Sequence, residues 1–220
     1  MKEIKLILFM LLASLISMNV GAAVVGDVIT RDGLNYRITD LSHNEVAFTG
    51  SNNSGLLDIP ATVRDSVNIE WTVTRIANNS NVPNATSVTI PNTVKAMEAG
   101  SLSGSKITSV TIPASVQTID NGVFSFCLGL QEIIVNGGNP KYYSANGVLY
   151  EKDGSDKWLV SYPVNKADNA FNIPDGVSGV RPNAFQQSKN LETVNLPQSL
   201  TQLPSAKGYS GFTSAKKLKA

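Results

Sequence analysis

The residue types that do chemistry are scarce in this 220-residue chain, which holds one cysteine, Cys127, and one histidine, His43, far apart in sequence. A nucleophilic thiol needs a base beside it, and a transition-metal site built on one His and one Cys would have to recruit carboxylates. No His or Cys spacing supports either, and a lone cysteine forms no disulfide within the chain. His43 lies in Leu41-Ser-His-Asn-Glu45, a polar link between Tyr36-Arg-Ile38 and Val46-Ala-Phe48, and reads as an exposed hairpin-turn residue. Asp153-Gly-Ser-Asp156 lacks the ligand spacing and distal glutamate of a calcium hand. Standing between Val148-Leu-Tyr150 and Trp158-Leu-Val160, it reads instead as a hairpin turn. Asn136-Gly-Gly-Asn139 is too short to cradle a phosphate and no Lys-Ser/Thr follows it, so it reads as a turn. Paired carboxylates at a repeated spacing and a serine elbow are both missing. The expectation is a non-enzyme, with no metal and no cofactor.

What these residues sit on is a repeat. An apolar residue followed by proline recurs at Ile59-Pro60, Ile90-Pro91, Ile112-Pro113, Ile173-Pro174 and Leu196-Pro197, and the intervals Ile90 to Ile112 and Ile173 to Leu196 are 22 and 23 residues. That is the period of a stacked solenoid coil. Aligned on this residue, the segments match over their whole length. Two places earlier stand Val88, Val110, Phe171 and Val194; four later, Val94, Val116, Val177 and Leu200; seven later, Met97, Ile119, Val180 and Leu203. A small-aromatic pair follows at Val123-Phe124 and Ala184-Phe185, with Ser101-Leu102 as a weaker copy, and then Leu130 and Leu191, with Ile107 one place early. The column of Cys127 holds Ser105, Ser188 and Ala215 in other coils, so it wants a small side chain and not a nucleophile.

Alternating β-branched residues before the proline predict one short, half-buried strand per coil. Proline has no N–H to donate and ends it. The Ala-Phe stretch is too short for a helix stable on its own, so a single helical turn or an irregular arc is expected there, with the phenylalanine plugging the space between coils. Such coils bury their apolar faces only against neighbours, and the ends need caps.

Thr-Ser-Val-Thr-Ile-Pro, at 86–91 and again at 108–113, together with Val-Phe-Ser-Phe-Cys-Leu-Gly-Leu at 123–130, closely resembles the BspA-like leucine-rich repeats of bacterial surface proteins. The resemblance covers most of the chain. It implies an α/β leucine-rich repeat solenoid dominated by β-structure, with short parallel strands stacked in coils of about 23 residues. Gly33-Leu-Asn-Tyr-Arg-Ile-Thr39 and Ile59-Pro-Ala-Thr-Val63 are similar to the β-rich opening segment of such proteins, which implies an N-terminal β-hairpin-like cap. Asn139-Pro-Lys-Tyr-Tyr-Ser-Ala-Asn-Gly-Val-Leu-Tyr150 is similar to an insertion that interrupts the repeat, expected as a β-hairpin. An extracellular binding or adhesion role is implied, without a ligand. The pattern fails in two places. Asn78-Asn-Ser-Asn-Val-Pro-Asn84 stands where a plug belongs, and Leu203 to Phe212 carries about four extra residues.

Lys2 and Lys5 precede an apolar run from Leu6 to Ile16 that ends in Gly21-Ala-Ala23, the pattern of a secretory signal. The run is short for a membrane span, no second one exists, and no cysteine marks a lipoprotein cleavage site, so a secreted or cell-surface location is expected. Without residues 1–23 the chain holds 16 basic and 16 acidic residues, a balance that gives no support for binding nucleic acid or an anionic membrane. Lys216, Lys217 and Lys219 read as a solvated tail. The domain expectation is a signal peptide at 1–23, a β cap at 24–58 and a solenoid at 59–220 with an insertion at 136–170. The coil left unfinished at Ala220 suggests that the chain continues or is truncated there.

Two surfaces could bind a partner. On the strands, Ser87 and Thr89, Ser109 and Thr111, Glu132 and Ile134, and Thr193 and Asn195 point away from the buried columns, forming a largely uncharged ladder of hydroxyls. Stacked threonines are also what an exposed sheet favours. The insertion gathers Tyr142, Tyr143, Tyr150, Trp158 and Tyr162, which could stack on a sugar or pair across a small hairpin. The first surface points to an extracellular protein partner or other macromolecule, the second to a carbohydrate-binding module that would recognise a glycan. Oligomeric state is not legible.

Overall fold

The computed structural model describes residues 22–203. Residues 1–21 of the expected signal, the lysine tail, Ala215 and most of the extra residues up to Phe212 lie outside the described residues. Seventeen strands follow one another: β1 (Val28–Arg31), β2 (Leu34–Asp40), β3 (Glu45–Ser51), β4 (Gly55–Asp58), β5 (Thr62–Arg64), β6 (Glu70–Asn81), β7 (Ala85–Thr89), β8 (Ala96–Met97), β9 (Ser109–Ile112), β10 (Thr118–Ile119), β11 (Glu132–Val135), β12 (Tyr142–Ala145), β13 (Val148–Asp153), β14 (Asp156–Ser161), β15 (Ala170–Asn172), β16 (Gly179–Val180) and β17 (Thr193–Asn195). The described residues contain no helix, so the α component of the expected fold class is absent from them. The arc after each plug is built from turns.

A coil holds two strands where one was expected. The strand ahead of the apolar-Pro pair forms a first stack, with β4 parallel to β7, β9 parallel to β11, and β15 parallel to β17. β7 lies beside β9, where Lys106 N donates to Ala85 O at 2.9 Å. After the proline the chain turns at once. Val94, Val116 and Val177 each donate a backbone N–H to the carbonyl of Pro91, Pro113 and Pro174, at 3.1, 3.3 and 3.2 Å. The proline thus ends one strand and opens a tight turn into a second, only two residues long in β8, β10 and β16. These second strands stack in parallel with β3 and β6 in the order β3-β6-β8-β10, placing Ile76, Met97 and Ile119 in register. Two-residue strands escape periodicity because alternation needs more residues than that to show.

The N-terminal end is an antiparallel β1-β2-β3 meander whose third strand opens the parallel stack against β6, with β5 antiparallel to β6. Tyr36, Phe48 and Trp71 fill its core. The coil without an aromatic plug closes differently. Ser80 is buried and its hydroxyl donates to Phe48 O at 3.1 Å or Ala77 O at 2.8 Å, while Val82 is buried beside them in the same core.

The insertion folds as a three-stranded antiparallel unit, β12-β13-β14, and β14 returns to the second stack by pairing in parallel with β16. Leu159 thereby takes the column place held elsewhere by Met97 and Ile119. The true interruption is β12 and β13, lodged between β10 and β14. β10 meets them through one side chain, Ile119 N donating to Tyr142 Oη at 2.9 Å. Along β13 the two-residue period sends Leu149 into the core of the first coils and Val148 and Tyr150 into a second core with Phe171, Val177, Phe185 and Leu191. Asn146-Gly147 closes the first hairpin with φ of 50° and 75°, the conformation of a two-residue type I′ turn.

Asn139 locks the insertion to the coil before it. Its side chain is buried, donating to Pro113 O at 3.1 Å and Val116 O at 2.9 Å, and accepting from Lys141 N at 2.9 Å and Tyr142 N at 2.7 Å. Four backbone groups lose this partner if the amide goes, and Pro113 O keeps its turn bond from Val116 N. Asn139→Ala is therefore expected to destabilise the protein by about 3 kcal/mol in urea unfolding, and a loss under ~1 kcal/mol would contradict the clamp.

Candidate functional site

The first stack presents its unburied side chains in two rows. One runs Leu56, Ser87, Ser109, Glu132 and the other Asp58, Thr89, Thr111, Ile134, as the β4–β7 and β9–β11 registers place them. All are exposed except Ser109, which is half-buried. Ser87, Thr89, Ser109 and Thr111 therefore lie together at the centre of one face. Leu56 and Asp58 extend it, and the alternation leading into Ile59 carries the signal that would have included them. Thr193 and Asn195 do not join this face. They stand on the separate β15–β17 pair, where Asn195 Nδ2 donates to Asn172 Oδ1 at 2.6 Å. Between the two patches the Asn146-Gly147 turn folds over the edge of β11, with Ile133 N donating to Gly147 O at 2.8 Å. A polar cleft of about 680 Å³ lined by Gln131, Glu132, Asn146, Lys166 and Asp168 opens there.

The aromatics of the insertion do not form a platform. Tyr142 and Tyr150 are 3% and 1% exposed, so neither offers a ring face to a sugar. Tyr162 is buried too, edge-on to Phe171 at 4.9 Å. Half-buried Tyr143 stacks on Tyr150 with ring centroids 5.1 Å apart. Half-buried Trp158 lies under the Arg181 guanidinium at 4.1 Å and against Gly179, where a Cβ would sit 2.4 Å from the indole. Tyr142 packs into the core of the first coils and Tyr143, Tyr150 and Tyr162 into the second core, which corrects the expectation of a sugar-stacking surface at Tyr142 and Tyr150. Burial pushes the phenols of Tyr142, Tyr143, Tyr150 and Tyr162 upward.

Beside them the break between β10 and β12 leaves a second cleft of about 400 Å³, with Thr118, Asp120 and Asn121 on one side and Lys141, Glu151 and Arg181 on the other. Glu151 is nearly buried and neutralised from both flanks, by Arg181 Nη2 at 2.6 Å and Lys141 Nζ at 3.2 Å. Lys141, Glu151 and Arg181 are thus already paired with one another.

Cys127 is fully buried, donating to Leu102 O at 3.0 Å and lying 3.3 Å from Ser105 Oγ in its column. Burial pushes its thiol up, away from thiolate chemistry. His43 shares its turn with Asp40 and Ser42, a trio with the residue types of a hydrolase triad. The geometry is wrong for it, because Asp40 Oδ2 and Ser42 Oγ both approach the same ring nitrogen, Nδ1, at 2.9 Å. A triad needs the hydroxyl and the carboxylate on opposite nitrogens. Among the described residues no group of three or more His, Cys, Asp or Glu side chains could hold a metal ion, and no helix is long and apolar enough to cross a membrane.

The model of the BspA-type leucine-rich repeat region matches the chain in six copies, over residues 62–144 and 165–218. No curated protein matches it. Among solved structures it is similar to a leucine-rich cell surface protein of Faecalibacterium prausnitzii, at 19% identity and a TM-score of 0.49, covering 80% of this chain and 72% of that one. The pneumococcal vaccine antigen PcpA follows at 17% identity and a TM-score of 0.44, with 90% and 70% covered. A leucine-rich repeat protein of Eubacterium ventriosum gives 21% identity and a TM-score of 0.45, with 80% and 62% covered.

The hydrogen bond to Asp40 raises the pKa of His43 above 6.5. A raised folded-state value means that any stability the pair adds is present below the ordinary histidine range and fades as pH rises through the folded value. An NMR titration should therefore place His43 above the ordinary histidine range, and Asp40→Asn should lower it. An unmoved midpoint would contradict the pairing.

Proposed function

Because this chain belongs to the BspA-type leucine-rich repeat family, we propose that it is a secreted or cell-surface binding protein that recognises a host or surface macromolecule without catalysis. The observation that carries the reading is the two-row face on β4, β7, β9 and β11. Its centre is four small hydroxyl residues with no charge, and its ends are Leu56 and Asp58 on one side and Glu132 and Ile134 on the other. Repeat proteins use extended surfaces built from neighbouring coils to engage large partners. A macromolecule fits such a face better than a small metabolite, which needs a concave pocket that buries most of its surface.

The family and the Lys2-to-Ala23 pattern together support export. The sealed thiol and the mispositioned Asp40–Ser42–His43 trio support a role without catalysis. Recognition of a glycan through the insertion's aromatics loses its support, since the rings of Tyr142 and Tyr150 are buried. The partner class favoured is an extracellular protein.

The test is capture from cell-surface and matrix extracts, with glycans intact and enzymatically removed, by the wild-type chain and by Thr89→Asp/Thr111→Asp. Two carboxylates at the middle of the face should weaken capture by at least ~10-fold while leaving the melting temperature nearly unchanged, since exposed substitutions usually cost under ~0.5 kcal/mol. Capture that survives the double substitution would place recognition elsewhere. Capture that vanishes on deglycosylation would make the partner a sugar.

A further inference from the structure

The insertion leaves a strand edge open in the middle of the first stack. β12 and β13 enter the second stack between β10 and β14, and two strands at roughly 4.8 Å each hold the flanking coils apart. On the arc side those coils still touch, Asn165 N donating to Leu130 O at 2.7 Å. They therefore diverge toward the first stack, where β11 and β15 belong to consecutive coils yet share no pairing. The hairpin covers the β11 side of this break, Ile133 N donating to Gly147 O at 2.8 Å and Val135 N to Ser144 Oγ at 3.0 Å. It does not cover β15, whose one strand neighbour among the described residues is β17.

Two hydrogen bonds fix which groups of β15 face the break. Thr193 N donates to Asn169 O at 3.1 Å and Ile173 N to Asn195 O at 3.0 Å, so residues 169, 171 and 173 turn their backbone toward β17. Alternate residues of an extended strand turn the other way, so Ala170 and Asn172 aim their N–H and C=O toward β11. Among the described residues nothing bonds those groups. A row of unpaired donors and acceptors is a template for an added strand. The cleft of about 680 Å³ opens at the head of this edge, between Gln131 and Glu132, the Asn146-Gly147 turn, and Lys166 and Asp168 leading into β15. Its lining holds no apolar side chain against which a small molecule could bury its surface. Lys166 is taken by Asp168 at 3.3 Å, and Asp168 also accepts from Tyr162 Oη at 3.3 Å. Glu132 is exposed, and no ion pair among the described residues uses it, so the lining carries one unbalanced negative charge.

We propose that this break is a peptide-binding site, in which an extended segment of a partner protein lies along β15 as an added strand and sets a lysine or arginine side chain against Glu132. Main-chain hydrogen bonds to Ala170 and Asn172 give such a segment its hold, and the side chain facing Glu132 gives it selectivity. β15 is only three residues long, so the main-chain bonds are few and the charge contact must share in the affinity. Glu132 also stands at the end of the strand face, but the added strand does not need that face, so either reading can fail alone.

The test is selection of linear dodecapeptides from a random phage-displayed library on the full chain, followed by binding measurements with the enriched peptides. These should carry a lysine or arginine at a recurring position. Methylating alternate backbone nitrogens of such a peptide should weaken its binding at least ~10-fold, the signature of strand pairing. Ala170→Pro removes an N–H that points away from β17, so it should weaken binding at least ~5-fold with the melting temperature nearly unchanged. Glu132→Gln should weaken it by about the same factor and flatten its salt dependence. Hydrogen exchange on the wild type needs no variant to fold: the amides of Ala170 and Asn172 should exchange fast in the free chain and slowly with the peptide bound. Thr89→Asp/Thr111→Asp should bind the peptide like wild type, which separates this site from the strand face. Failure to enrich any peptide that slows those two amides, equal binding by wild type and Ala170→Pro, or enriched peptides without a cation would each overturn the proposal. Self-association of the chain that Ala170→Pro abolishes would place a second copy along β15 and overturn it as well.

Discussion

No coil of this protein can bury its own apolar face, and nearly everything else in the structure follows from that. A residue such as Val94 or Val116 becomes buried only when the next coil is in place, and the registers of β6 with β8 and of β8 with β10 bring those coils into line. Backbone ladders repeat at each step. Lys95 N donates to Thr74 O and Gln117 N to Lys95 O, both at 2.8 Å, and in the later coils Ser178 N donates to Lys157 O at 2.8 Å and Thr201 N to Ser178 O at 3.0 Å. Sequence then has little freedom at column positions. Truncating a plug such as Phe124 or Phe185 would leave a void between coils, a change that typically costs about 3–5 kcal/mol.

The same constraint explains how the insertion is tolerated. Two extra strands in the second stack would separate neighbouring coils unless their edges were satisfied, and each edge has its own device. Asn139 serves the turn after β9, Tyr142 Oη the edge of β10, and Ser144 Oγ accepts from Val135 N at 3.0 Å. Glu151, held between Lys141 and Arg181, ties the hairpin to the following coil. A charge triad around one nearly buried carboxylate adds little net stability over an apolar contact, whereas removing one of its cations would leave Glu151 less compensated. The two cores meet at β13, whose alternate side chains belong to one and then the other.

The repeat was legible because its columns are apolar and β-branched at fixed offsets from a proline, a pattern that survives without any structure. The Cys127 column was legible for the same reason, since Ser105 and Ser188 show what the position accepts. The second strand was not, because two residues such as Ala96 and Met97 carry no period. Asn146-Gly147 is a strong hairpin signal that marks the turn between β12 and β13, whereas the burial of Tyr142 and Tyr150 depends on packing partners far along the chain. Asn139 resembled a loop residue because its four partners are backbone groups, which leave no trace in sequence. The hydroxyl face was half legible. Alternation put Ser87, Thr89, Ser109 and Thr111 on one side, but only the strand order shows that the insertion separates them from Thr193 and Asn195.

The central claim is that stability passes from coil to neighbouring coil and is held locally. Amide hydrogen exchange on Phe185→Ala tests it most directly, because Phe185 is buried in the second core with its ring 5.5 Å from Tyr162 and 6.2 Å from Phe171. The account predicts lost protection in β14 to β17 while β3, β6, β7 and β9 keep theirs, as expected of a chain of nearest-neighbour units. Protection lost equally across all strands, or unchanged in β14 to β17, would contradict it.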